Sequence, residues 1–89
     1  MLGQDEAREI AEAFLQSEIQ PQIAEEAIIT ELQEYPSHWV AVYNSRKFAE
    51  TGRISYALAG NSPLIINKET KSIRAGITGA PVEDQLDSP

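Results

Sequence analysis

Near the start of the chain Ala7, Ile10, Ala11, Phe14 and Leu15 recur at three- and four-residue steps. That spacing lays them along one stripe of an α-helix. Arg8, Glu9, Glu12 and Gln16 fall on the other side, so the pattern predicts an amphipathic helix over Gln4–Glu18. Asp5 is the expected N-cap, with Glu6 complementing the positive end of the dipole. Arg8 occupies the position where a capping box would want Glu. Pro21 ends the helix by Gln20 at the latest.

The next segment, Gln22–Tyr35, carries two patterns. Ala24, Ala27, Ile28, Leu32 and Tyr35 have helical spacing, but Glu31 spoils that face. Against a helix stands the β-branched run Ile28-Ile29-Thr30. A strand over Ala27–Glu34 is the better reading, with Ile28, Thr30 and Leu32 alternating with Ile29, Glu31 and Gln33. Pro36 and Ser37 favour a turn over Tyr35–His38. A second strand, Trp39–Asn44, then runs back antiparallel, with Trp39, Ala41 and Tyr43 on one face and Val40 and Val42 on the other.

A long connection follows, Ser45–Asn61, read as a helical turn at Arg46–Glu50, then Gly52, then a further turn leading to Gly60. Its apolar residues, Phe48 and Tyr56–Ala59, suggest that it is pinned to the body of the domain. Gly60 and Asn61 are residue types that readily take positive φ, and Pro63 fits the first position of a strand because it has no amide to donate. These three are the predicted structural turn. Leu64-Ile65-Ile66 is a continuous apolar run, as a strand buried on both faces would be. The polar stretch Asn67–Lys71 reverses the chain, and Ser72–Ile77 returns, making a hairpin. The resulting expectation is an α+β fold over residues 1–89: an N-terminal helix packed on an antiparallel sheet of about four strands.

Composition narrows the function. The formal net charge is −7, which argues against nucleic acid as a direct ligand, because phosphate binding needs a Lys/Arg footprint. Solubility explains such a charge by itself, and it also suits a partner with a basic contact surface. The absence of cysteine excludes disulfides, thiol nucleophiles and Cys-based metal sites. No apolar run is long enough to span a membrane, and the first residues lack a secretory signal pattern, so the cytoplasm is the expected location.

Catalysis is poorly supplied. His38 is the sole histidine, read as a solvent-exposed turn residue. Ser37 or Ser45 could be drawn into a triad with it, but no Gly-x-Ser-x-Gly elbow is present. Glu25-Glu26 and Glu83-Asp84 are adjacent pairs, which a strand would point to opposite faces. No Asp-x-Asp-x-Asp-Gly calcium loop occurs, and Gly76-Ile77-Thr78-Gly79 lacks the spacing and the Lys of a phosphate loop. The expectation is no enzyme, no cofactor and no metal. The sole Trp, Trp39, suits the core of a small sheet better than an interface.

Trp39-Val40-Ala41-Val42-Tyr43-Asn44-Ser45, Phe48-Ala49-Glu50-Thr51-Gly52, and above all Leu58-Ala59-Gly60-Asn61-Ser62-Pro63 followed by Leu64–Lys68, resemble the bacterial immunity protein 35 family. The likeness extends over roughly residues 28–82. The Pro81 segment resembles the family's closing short helix. Where family members usually place Gly after Lys-x-Thr, this chain has Lys71, at a turn position that favours positive φ. The resemblance implies a non-catalytic protein that binds and neutralises a cognate polymorphic toxin domain. Glu31 and Glu34, on the strand beside Trp39 and Tyr43, would then form an acidic rim around aromatic anchors. The alternative is a free-standing chaperone-like or regulatory protein-binding domain, which an isolated gene would favour over one beside a toxin gene.

Overall fold

A computed structural model describes residues 2–58, 62–77 and 81–86, Glu83 by its backbone alone. Helix α1 spans Gln4–Phe14 and buries Ala7 and Ala11 completely. These small side chains let the helix axis approach the sheet closely. The residue preceding the helix is Gly3, in extended conformation, and its carbonyl accepts the Ala7 amide. Asp5 therefore lies inside the first turn and is not the cap; with Glu6 it still meets the positive end of the dipole.

The chain stays helical further than expected. Leu15–Ile19 forms a widened π-type turn, with the Gln20 amide reaching back to the Leu15 carbonyl. A tight 3₁₀ turn, Gln20–Gln22, then carries Pro21 in its first positions, where a missing amide costs little. Gln20 closes the segment. Its side-chain amide donates to the Glu25 carbonyl and accepts from the Ala27 amide.

The sheet has four antiparallel strands in the order β1-β2-β3-β4. Strand β1 is Ala27–Glu34 and β2 is His38–Ser45. Strand β3 is Leu64–Asn67 and β4 is Ile73–Ala75, shorter than the returning segment read from the sequence. Against the helix lie Ala27, Ile29, Trp39, Ala41, Tyr43, Leu64 and Ile66, which with Leu2, Ala7, Ala11 and Leu15 make the core. On the far face Val40, Ile65 and His38 are buried too, so β3 is covered on both sides as its apolar run predicts.

Two expectations for this region fail. The β1 alternation breaks at Thr30, which has no partner across the ladder: Ile29 pairs with Tyr43 and Glu31 with Val42. This bulge switches the faces, so Ala27, Ile29, Leu32 and Glu34 share the helix side while Ile28, Glu31 and Gln33 share the other. His38 is the second correction. It belongs to β2 and is 2% exposed, because pairing with Asn67 carries the strand one residue closer to the turn than hydropathy suggests.

Helix α2, Arg46–Thr51, is capped at both ends. Ser45 Oγ accepts the Phe48 amide, and Gly52 takes the left-handed conformation at φ 70°. A 3₁₀ turn follows at Ile54–Tyr56. Polar atoms pin this connection to β2. Ser45 Oγ donates to the Tyr56 carbonyl, and Asn44 Oδ1 accepts the Leu58 amide. In the β3–β4 hairpin, Asn67 Oδ1 accepts the Glu69 and Thr70 amides, and Lys71 adopts φ 63°, the positive φ that its turn position favours. Gly60 and Asn61 of the predicted turn lie outside the described residues; Pro63 is half-buried directly before β3, its carbonyl accepting the Gly76 amide.

Candidate functional site

Two surfaces concentrate polar chemistry. One is the rim where the chain start meets the β1–β2 and β3–β4 turns. Lys68 is almost enclosed there, with 7% of its side chain exposed. Its ammonium lies 2.7 Å from Glu34 Oε2 and 5.3 Å from the centroid of the Trp39 ring. Trp39 Nε1 donates to the Leu2 carbonyl, and the Leu2 amide points at the Lys68 carbonyl. A carboxylate below an ammonium and an indole face above it satisfy a cation that burial would otherwise penalise.

The other surface is the outer edge of β1, which among the described residues is paired only on its β2 side. Thr30, Glu31 and Glu34 are exposed along it. Thr30 Oγ1 donates to the Val42 carbonyl, which steadies the bulge. The Gln33 side chain donates to Glu31 on the shared outer face. Beside the bulge, Ile28, Thr30, Asn44, Phe48, Ala49 and Gly52 line a cleft of about 590 Å³. A smaller cleft of about 310 Å³ opens between the helix end and β1, lined by Glu12, Leu15, Gln16, Glu26, Ile28 and Arg46 among others.

The four residues read from the sequence as a contact set divide between these surfaces. Trp39 and Tyr43 point into the core, each 6% exposed. Glu34 stands opposite Trp39 at the rim, and Glu31 lies on the other face of the sheet. Burial pushes the Tyr43 phenol above its ordinary pKa, and a backbone hydrogen bond with Ser62 partly opposes this. What the sequence reading missed is Lys68, taken as one more polar turn residue. The signal available was the position of Lys68 at the end of a fully buried strand, where a long side chain must run along apolar surface.

The His38 ring has one hydrogen bond, between Nδ1 and Ser37 Oγ at 2.7 Å, while Nε2 has no partner among the described residues. Ser45 is occupied with capping and does not approach it. No group of three or more His, Asp or Glu side chains that could hold a metal ion occurs among the described residues. No helix there is long and apolar enough to cross a membrane.

Residues 5–87 match the model of the immunity protein 35 family, and the chain belongs to that family. Over 59 residues it is 36% identical to a protein of Escherichia coli (strain K12) described as "Uncharacterized protein YrhB". That stretch covers 66% of this chain and 63% of the relative, so the chain spans less than two thirds of the relative's length. No solved structure matches.

Proposed function

We propose that this protein is a non-catalytic immunity protein that binds a cognate polymorphic toxin domain and neutralises it. The observation that carries the reading is the family match over residues 5–87. Binding alone requires no nucleophile, base or metal, and the His38 side chain is buried at 2% exposure. The absence of cysteine suits the reducing cytoplasm, where the producing cell needs protection.

Charge supports a basic toxin face. Glu6, Glu25, Glu26 and Glu34 are paired with Lys71, Lys47, Arg46 and Lys68. Among the described residues Asp5, Glu9, Glu12, Glu18, Glu31, Glu50, Glu69 and Asp84 have no such partner. An excess of unpaired carboxylates speeds encounter with a basic surface and rejects acidic competitors. Glu31 is the cleaner probe of this excess charge, since Glu34 is tied to a buried ammonium. Trp39 and Tyr43 support the rim from behind, by fixing β2 against the helix.

The test is to co-purify the protein with the toxin domain encoded beside it and to measure toxin activity and association rate at two salt concentrations. A stoichiometric complex should silence the toxin, and association should slow with added salt and with Glu31→Lys. Absence of a complex, or a complex whose toxin stays active, overturns the reading.

A further inference from the structure

We infer that the free edge of β1 is where the partner binds, by adding an extended strand of its own that carries an apolar and a basic residue two positions apart, on one face. The inference rests on the immunity reading for what the partner is, but the edge supplies its own argument.

The sheet has two edges, and they are treated differently. Strand β4 is only three residues long, Ile73–Ala75. Just beyond it the Gln85 side chain bonds both the amide and the carbonyl of Ile77, as a neighbouring strand would. Strand β1 is eight residues long and ends the sheet on its side. At its start Gln20 takes the Ala27 amide. From Ile28 onward, no hydrogen bond among the described residues reaches its outer edge. Natural sheets guard a long edge with charges and bulges, and β1 has both, at Glu31, Glu34 and Thr30.

Those guards are selective. If two copies paired antiparallel about Glu31, or about Glu34, that residue would face its own copy across the ladder, since directly opposed residues share a face of the sheet. Like charges directly opposite destabilise a ladder, and opposite charges stabilise it. The edge thus repels this chain, itself at −7, and accepts a basic strand. The outer face fixes the pattern further. Ile28 and Glu31 share it, and the cleft of about 590 Å³ beside Ile28, Phe48 and Ala49 lies next to Glu31 along the strand. Since alternate residues of an added strand point to the same face, an apolar side chain would fill the cleft while a Lys or Arg two residues away met Glu31.

The probe is a capped, labelled peptide, Lys-Lys-Val-Val-Lys-Lys-Val, which alternates Lys and Val along each face; it is titrated into the full chain and followed by amide NMR shifts. Three peptide controls accompany it. In one, Glu replaces Lys. One has the same composition in strict Lys-Val alternation, which puts every Val on one face and every Lys on the other. One is N-methylated on alternate backbone amides, which removes ladder bonds and keeps every charge. The expected result is shift changes centred on residues 28–34, with at least tenfold weaker binding by each control peptide. Glu31→Lys and Ala49→Trp, the latter filling the cleft from an exposed helix position, should weaken binding of the probe peptide by a similar factor.

Equal binding by the N-methylated peptide, shifts centred on α1, or no binding at all overturns strand addition, and equal binding by the strictly alternating peptide overturns the side-chain pattern. Self-association through residues 28–34 overturns the charge argument. The toxin arm separates the two readings. A neutralised complex in which the β1 amides exchange as fast as in the free chain leaves immunity standing and refutes strand addition. No toxin complex, with the peptide results as expected, does the reverse.

Discussion

Removing the Glu34 carboxylate should cost more than removing the buried Lys68 ammonium that it pairs with. In Glu34→Gln the ammonium stays, 7% exposed, with the Trp39 ring and a neutral amide for company. The gross attraction of unit charges at the observed 2.7 Å separation is about 4–6 kcal/mol at an effective dielectric constant near 20. Glu34 is 60% exposed, so water screens much of this. Breaking a fully buried pair costs about 3–5 kcal/mol and an exposed one about 0.2–1 kcal/mol. This half-buried pair falls between, at about 1–2 kcal/mol. Lys68→Met also loses the pair and a cation–π contact, but it removes the desolvation cost of the ammonium and keeps the apolar stem. Its net cost should stay below about 1 kcal/mol. The double variant should be no less stable than Lys68→Met, because Glu34 is then only a surface carboxylate. Urea unfolding should be followed by circular dichroism as well as Trp39 emission, since the altered charge adjoins the fluorophore. In melting temperature, Glu34→Gln should lose about 5–10 °C for a domain of this size. A greater loss in Lys68→Met than in Glu34→Gln would refute the reasoning, as would no loss in Glu34→Gln.

Three further outcomes follow from the packing. Tyr43 has a native pKa raised by burial, so its contribution to stability is present below the unfolded value of about 10 and is lost as pH rises from there through the native value; ultraviolet titration should show a late tyrosine that vanishes in Tyr43→Phe. Ser45→Ala strands the Phe48 amide and the Tyr56 carbonyl together and should cost about 1–3 kcal/mol in denaturant unfolding, with hydrogen exchange rising across residues 46–58. Gly52→Ala forces a side chain into φ 70° with open space around it, so the cost should be the conformational strain of about 1 kcal/mol, and an unchanged midpoint would show that α2 ends differently.

The fold was legible wherever local pattern and tertiary need agree. The period of Ala7–Leu15, the β-branched run at Ile28 and the apolar block at Leu64 each match the element that forms. What stayed hidden was set by partners distant in sequence. His38 looks like a turn residue until Asn67 pairs with it, and Lys68 looks solvated until Leu2, Trp39 and Glu34 close around it. The bulge at Thr30 was invisible for another reason: Ile28–Glu34 alternates acceptably in either frame until Tyr43 and Val42 choose one. Which face each of Glu31 and Glu34 takes depends on that frame, although three positions apart they fall on opposite faces in either one.

Thr30 makes β1 behave like text with one extra letter. The inside and outside of residues 31–34 are set by a residue count, not by the identity of any residue. Deleting Thr30 would leave every remaining side chain on the face it has now and would merely flatten the edge. Deleting Leu32, two positions on, would turn Gln33 inward and Glu34 outward, away from Lys68. Insertions and deletions in this strand therefore have sharply position-dependent effects: nearly silent at the bulge, and inverting beyond it.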